Sequence, residues 1–263
     1  MKTSIPTLLF TLIFVACSTV PLTGRKQTAW IPSTQMNSLS SSSYQDVLSS
    51  NQVVTTGAQA LQVKRVGNKI KAAVEQYMSN NGMKDEISDY SWEFNLIKDE
   101  TVNAWCMPGG KVAFYTGIMP ICGDDAGVAV VMGHEIAHAI AQHGNERMTH
   151  SLMQQFGGIA LDVALSEKPE QTKNLFMSAY GIGSQVGVML PFSRTHETEA
   201  DKLGLIFMAM AGYNPEEAPK FWERMAAQGG ANVPEFLSTH PAHNTRIENL
   251  NKFMPEAKKY YKP

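Results

Sequence analysis

The sequence His134-Glu135-Ile136-Ala137-His138 lies inside an otherwise apolar run, Val128-Ala129-Val130-Val131-Met132-Gly133 before it and Ala139-Ile140-Ala141 after. On a helix, positions four apart lie about 40° from each other around the axis and one turn apart along it. Both imidazoles then reach one metal ion. Glu135 stands about 60° from His138 on such a helix, placed to address a water on that metal rather than the metal itself. Two histidines do not complete a site, because a catalytic zinc keeps three protein ligands and one position for water. The downstream candidates are His143, His150, His196, Glu197, Glu199, Asp201, His240 and His243. On a continuous helix His143, nine residues after His134, falls on the opposite face and reads as structural or surface. Glu197 and Asp201 are four apart and share a face, so one can bind metal while the other accepts a hydrogen bond from a ligand histidine. Spacing does not choose between Glu197 and Glu199.

The 263 residues suit one domain plus a leader, and a hydrophobic content of 43% supplies a core. The balance of 22 basic against 24 acidic residues gives a net charge of -2 and argues against nucleic acid as a partner. Lys2 precedes an apolar stretch at residues 8–16 that is too short to span a bilayer and reads as a signal peptide, residues 1–16. Its end, Phe14-Val15-Ala16-Cys17, resembles a bacterial lipobox. That implies a lipid on Cys17, attachment to a membrane through it, and, with Ser18 next, the outer membrane of a bacterial envelope, facing the periplasm. Once Cys17 carries lipid, Cys106 and Cys122 remain, and an exported chain favours a disulfide between them. That bond would close a loop of about 15 residues and contribute about 3 kcal/mol. Two free thiols are the alternative.

Residues 17–44 read as a flexible tether, with Pro21, Gly24 and Pro32 and a serine-rich stretch at 38–43. A domain follows over 45–263. Val63, Val66, Ile70, Ala73, Val74 and Tyr77 recur at helical steps up to Asn80-Asn81-Gly82. Residues 92–97, 102–106 and 111–116 read as strands of a small antiparallel sheet, with Pro108-Gly109-Gly110 as a turn. Asp124-Asp125 suits the positive end of the metal-bearing helix. Residues 151–192 read as a helical hairpin covering the core, and residues 174–193 carry no charge. Helices follow from Ser193, from Glu216 to Ala227 and from Asn244 to Met254.

Four ordered motifs together resemble the M48 family of zinc metallopeptidases: Asn103-Ala104-x-x-x-Pro108-Gly109-Gly110, His134-Glu135-x-x-His138, Ser193-Arg194-x-x-Glu197-x-Glu199-Ala200-Asp201, and Ser238-x-His240-Pro241. The likeness covers about residues 45–255. Cys106, Cys122 and the lipobox bring it nearest to the LoiP-like branch of periplasmic lipoproteins. The resemblance implies an α+β, mostly helical, zincin-like (gluzincin) core with the sheet beside the metal helix. It implies one Zn2+ per chain on His134, His138 and Glu197, with Glu135 as general base and acid. Asp201 would orient a ligand histidine, Arg194 would hold Glu197 or the helix start, and His240 would face the reacting carbonyl. Asn103, Ala104, Gly109 and Gly110 would line the strand on which a peptide lies. The function implied is an endopeptidase acting on envelope polypeptides, misfolded ones included. The rival readings are a zinc-binding chaperone with latent peptidase activity and a structural lipoprotein in which zinc only stabilises the fold.

Overall fold

The computed structural model describes residues 17–184, 190–228, 234–240 and 244–262; the expected signal peptide at 1–16 lies outside them, as does His243. Its centre is the helix α4, Asp125–Ile140, in which every residue from Gly127 to Ile140 is buried. The sequence explains this directly: the helix is apolar all round, so it is stable only when covered on every side. The Asp124 carboxylate caps its start by accepting a hydrogen bond from the Gly127 N–H at 2.9 Å.

The helices α2 (Ala58–Asn80), α7 (Leu190–Met210) and α8 (Glu217–Ala227) pack around α4, and α10 (Asn244–Ala257) packs on α7 and α8. On α2 the buried stripe is Val63, Val66, Ile70, Ala73, Val74 and Tyr77, as the periodicity predicts. The contact between α4 and α7 passes through facing glycines. A Cβ on Gly133 would stand 2.9 Å from the Gly204 carbonyl oxygen, and one on Gly204 would stand 2.9 Å from the His134 backbone nitrogen.

The sheet is β3 (Val53–Val54), β4 (Glu93–Ile97), β5 (Ala104–Met107) and β6 (Lys111–Tyr115), in the order β3-β4-β6-β5. It is mixed, not antiparallel as expected: β4 and β6 are parallel, the other pairs antiparallel. The chain leaving β4 skips one strand position to start β5, and the turn at 108–110 brings β6 back into the gap. Gly109 and Gly110 both have φ near +80° (81° and 80°), which is why glycines stand there. β5 is left at the edge.

Residues 17–44 are not a flexible tether. They form the hairpin β1 (Cys17–Thr19) and β2 (Lys26–Thr28) and much of helix α1 (Ser33–Ser50). Serine is a weak helix former, so local propensity reads as linker. Burial of Met36, Ser40 and Tyr44, four residues apart, overrides it. The Tyr44 hydroxyl donates to the Val112 carbonyl at 2.6 Å and ties α1 across the sheet.

Helix α5 (His143–Ala164) and α6 (Glu170–Ser184) form the expected hairpin, but it does not cover the core. Only His143, Asn145, Glu146 and Thr149 of α5 are buried, while Phe156, Ile159, Val163, Leu175 and Phe176 stand more than half exposed. No helix among the described residues is long and apolar enough to cross a membrane.

Cys106 and Cys122 are free thiols, so the expected disulfide is absent. Cys122 packs beside the start of α4, and Cys106 lines a cleft with His138, Ala139 and Gln142 at its other end. A 16-residue helix is about 24 Å long, whereas disulfide-bonded Cα atoms lie within about 7 Å.

Because the α4–α7 approach depends on missing side chains, Gly204→Ala should lower unfolding free energy by about 1–3 kcal/mol, as overpacking does. Helix propensity alone predicts the opposite sign, a gain of about 1 kcal/mol. Chemical denaturation of the two proteins decides between them.

Candidate active site

The α4–α7 contact brings Glu197 and Asp201, one turn apart on α7, against His134 and His138 on α4. His240 arrives from the end of the short helix α9 (Glu235–Thr239). Four atoms converge. His134 Nε2 lies 3.1 Å from His138 Nε2 and 3.1 Å from His240 Nδ1. Glu197 lies 3.4 Å from His134 Nε2, 3.2 Å from His138 Nε2 and 3.1 Å from His240 Nδ1. One donor atom from each of the four residues falls within 4.8 Å of the others.

These residues fit a zinc ion. Ligands about 2.0–2.1 Å from a tetrahedral zinc stand about 3.3 Å from one another, the spacing found here. The donor set, three imidazoles and a carboxylate, suits the metal. Glu135 Oε1 is buried without a hydrogen bond, its nearest cation-forming neighbour being His240 Nε2 at 3.4 Å. A buried carboxylate oxygen left open beside the cluster is an acceptor placed for a water or substrate proton.

The second nitrogen of each ligand histidine is engaged. The Asp201 Oδ1 atom lies 3.0 Å from His134 Nδ1 and also accepts from Arg246 at 2.6 Å. His138 Nδ1 lies 2.9 Å from His143 Nδ1. Arg246 reaches Glu197 at 3.1 Å as well and lies 3.5 Å over the Trp222 ring. Burial raises the Glu197 carboxyl, but the charge of His138 and hydrogen bonds from His134, His138 and His240 outweigh it and hold it far below the usual range. Burial pushes the His138 imidazole well down and the Glu135 carboxyl up. A neutral imidazole is the ligating form, and a raised carboxyl is suited to taking and returning a proton.

Arg194 departs from expectation. It is exposed on the rim of a cavity of about 540 Å³ beside Glu197 and Asp201. The arginine that holds Glu197 is Arg246, from the first turn of α10. Arg246 lies six residues past His240, and no spacing rule marks it in the sequence. His143 also departs from expectation. Gln142 adopts a left-handed backbone, φ 55°, which ends α4 and turns His143 back onto His138. The opposite-face reading assumed one continuous helix. Ala104 is buried at the start of β5, and Asn103 just before it donates to Glu235 at 3.0 Å. Gly109 and Gly110 serve the β5–β6 turn, and their carbonyls accept from the Ser91 and Glu93 N–H groups.

A buried helix that offers two histidines and a glutamate, met by a carboxylate from a second helix, defines a metallopeptidase centre. Residues 64–254 match peptidase family M48, and the chain belongs to that family of zinc-dependent metallopeptidases. It is 36% identical to the mitochondrial metalloendopeptidase OMA1 of Saccharomyces cerevisiae over 200 residues, 73% of this chain and 54% of that protein. It is 29% identical to the human metalloendopeptidase OMA1, mitochondrial, over 251 residues, 91% of this chain and 46% of that protein. It is 26% identical to the beta-barrel assembly-enhancing protease of Escherichia coli over 181 residues, 65% of this chain and 37% of that protein. The chain thus spans about half the length of the first two and less of the third. Relatives from fungi, a plant and animals are named as mitochondrial, which overturns the expected placement at a bacterial outer membrane. That placement rested on a few residues around Cys17, read from sequence likeness alone.

Away from the converging atoms, Glu146 is buried in an ion pair with Arg25 at 2.8 Å. Burial raises its pKa, but hydrogen bonds from Arg25 and His196 lower it further, to about 2 from 4.5. A depressed carboxyl stabilises the fold above pH 4.5 and loses that contribution as pH falls from there towards 2. In metal-free protein, the melting temperature of Glu146→Gln should therefore change less between pH 4.5 and 2 than that of the wild type.

Proposed function

We propose that the chain is a zinc-dependent endopeptidase that cleaves extended polypeptide laid along the free edge of β5. The observation that carries this reading is the convergence of His134, His138 and Glu197 with an unpartnered Glu135 oxygen beside them. A zinc ion held by those three residues would supply Lewis-acid polarisation of the scissile carbonyl and acidify a water. Glu135 removes the proton of the attacking water and delivers it to the leaving amine. Asp201 and Arg246 keep His134 and Glu197 in place during that transfer.

Among the described residues edge strand β5 pairs only with β6, so its other side offers main-chain donors and acceptors to an added strand. Main-chain pairing makes weak demands on sequence and requires extended chain, which unfolded or misfolded protein provides. A cleft of about 350 Å³ beside β5, lined by Met36, Tyr90, Met107 and His138 among others, accepts an apolar side chain. Attachment through lipid on Cys17, read from Phe14-Val15-Ala16-Cys17, would put the anchor at the first residue of β1. The mass of the mature N-terminal peptide tests it.

His240 favours a second reading, a zinc-binding chaperone or assembly factor whose peptidase activity is latent. Its Nδ1 lies 3.1 Å from both His134 Nε2 and Glu197, so it would compete with water for a metal held there. Cleavage would then require His240 to turn aside and leave that place to water, its ring serving instead as a donor to the developing oxyanion.

Glu135→Gln should retain one zinc per chain and lose cleavage of an unfolded protein by on the order of 10³-fold or more, a larger loss than the 10²–10³ typical of removing a single oxyanion donor. Equal cleavage by variant and wild type would sink the endopeptidase assignment. A zinc-loaded wild type as silent as the variant would establish the latent reading.

A further inference from the structure

The hairpin β1–β2 lies outside residues 64–254, yet its turn reaches the back of the metal cluster. Arg25 stands on that turn. Its guanidinium binds two buried carboxylates at once. Toward Glu146 it donates from both terminal nitrogens, at 2.9 and 2.8 Å. Toward Glu199 it donates from Nε and a terminal nitrogen, each at 2.9 Å. The Thr23 hydroxyl donates to Glu199 at 2.7 Å, so hairpin residues engage both Glu199 oxygens.

Glu199 in turn accepts from His143 Nε2 at 3.1 Å, and His143 Nδ1 faces His138 Nδ1 at 2.9 Å. With His138 Nε2 turned to the cluster, one proton arrangement satisfies the chain. His138 Nδ1–H donates to His143 Nδ1, and His143 Nε2–H donates to Glu199. His143 is wholly buried, and stacks on His196 with ring centres 4.2 Å apart, so its plane is fixed. His134 receives the corresponding support from Asp201 through one hydrogen bond. His138 receives it through two, and the last acceptor is held by a residue 174 positions away in the chain.

We propose that Arg25 positions the metal ligand His138 through Glu199 and His143, so that the N-terminal hairpin sets how tightly the site holds its metal. Without the guanidinium, Glu146 and Glu199 are two buried carboxylates facing each other with no cation between them. They cannot keep these positions, and His143 loses the acceptor that orients it. Residues that orient metal ligands in this way typically change metal affinity by about 10–100-fold when replaced. Lysine carries the charge but not the planar fork that spans two carboxylates. The segment leaving the hairpin is fastened to α5: the Trp30 N–H donates to the Thr149 hydroxyl at 3.1 Å, and Asn145 donates to the Ile31 carbonyl at 2.6 Å.

This proposal rests on the zinc reading, and one set of measurements separates the two. The full chain is titrated with Zn2+ against a competing chelator, and its Co2+ form is followed by visible absorption. We expect Arg25→Met and Glu199→Gln to weaken zinc binding at least about tenfold and to shift the Co2+ bands, with Arg25→Lys between them and the wild type. Arg65→Met, which removes an exposed ion pair with Asp125, serves as the control and should bind as the wild type does. If Arg25→Met does not accumulate as folded protein, Arg25→Lys and Glu199→Gln carry the same prediction. Folded variants that bind zinc within twofold of wild type, with unchanged Co2+ spectra, overturn the proposal and leave the zinc site standing. A wild type that binds no more zinc than His134→Ala removes both.

Discussion

The structure depends on burying α4 completely from Gly127 to Ile140 while three side chains of that stretch, His134, Glu135 and His138, are polar. Apolar packing covers α4 on every side and stabilises the fold as ordinary core burial does. The same burial removes water from two imidazoles and a carboxylate, which is tolerable only where each polar atom has a partner. The surrounding elements supply partners to both imidazoles, while one Glu135 oxygen is left without a hydrogen bond. Gly133 and Gly204 let α7 approach closely enough for Glu197 and Asp201 to meet the histidines. Helix packing and site assembly are therefore one event in this chain.

Two arginines organise the charge around that event. Arg246 bridges Glu197 and Asp201 on one side, and Arg25 bridges Glu146 and Glu199 on the other. Each guanidinium holds two carboxylates in fixed geometry, something its planar fork allows. Asp201 of the first pair meets His134 directly, and Glu199 of the second reaches His138 through His143. The metal site is thus framed by ion pairs whose members come from the hairpin, α5, α7 and α10.

His240 touches both the donor cluster and Glu135. Its Nδ1 completes the group of four donor atoms, and its Nε2 faces Glu135.

By itself the sequence determined the local parts. The apolar run with two histidines four apart specified a buried metal helix, and helical or alternating periodicity specified α2, β4 and β6. Spacing named His134, Glu135 and His138, the resemblance to the M48 family added Glu197, Asp201 and His240, and the fold brings all six together. Tertiary structure decided what depends on distant partners. The strand order made the sheet mixed, and the positions of Cys106 and Cys122 at opposite ends of α4 left both thiols free. A serine-rich stretch became α1 because Tyr44 found the sheet, and a single left-handed residue, Gln142, turned His143 from an outer face to the back of the site. Arg246 and Arg25 carry no motif, since an arginine's role is set by which carboxylates surround it, and those lie as many as 174 positions away. Periodicity and spacing are properties of neighbours along the chain, whereas counter-charges and packing partners are properties of the folded interior.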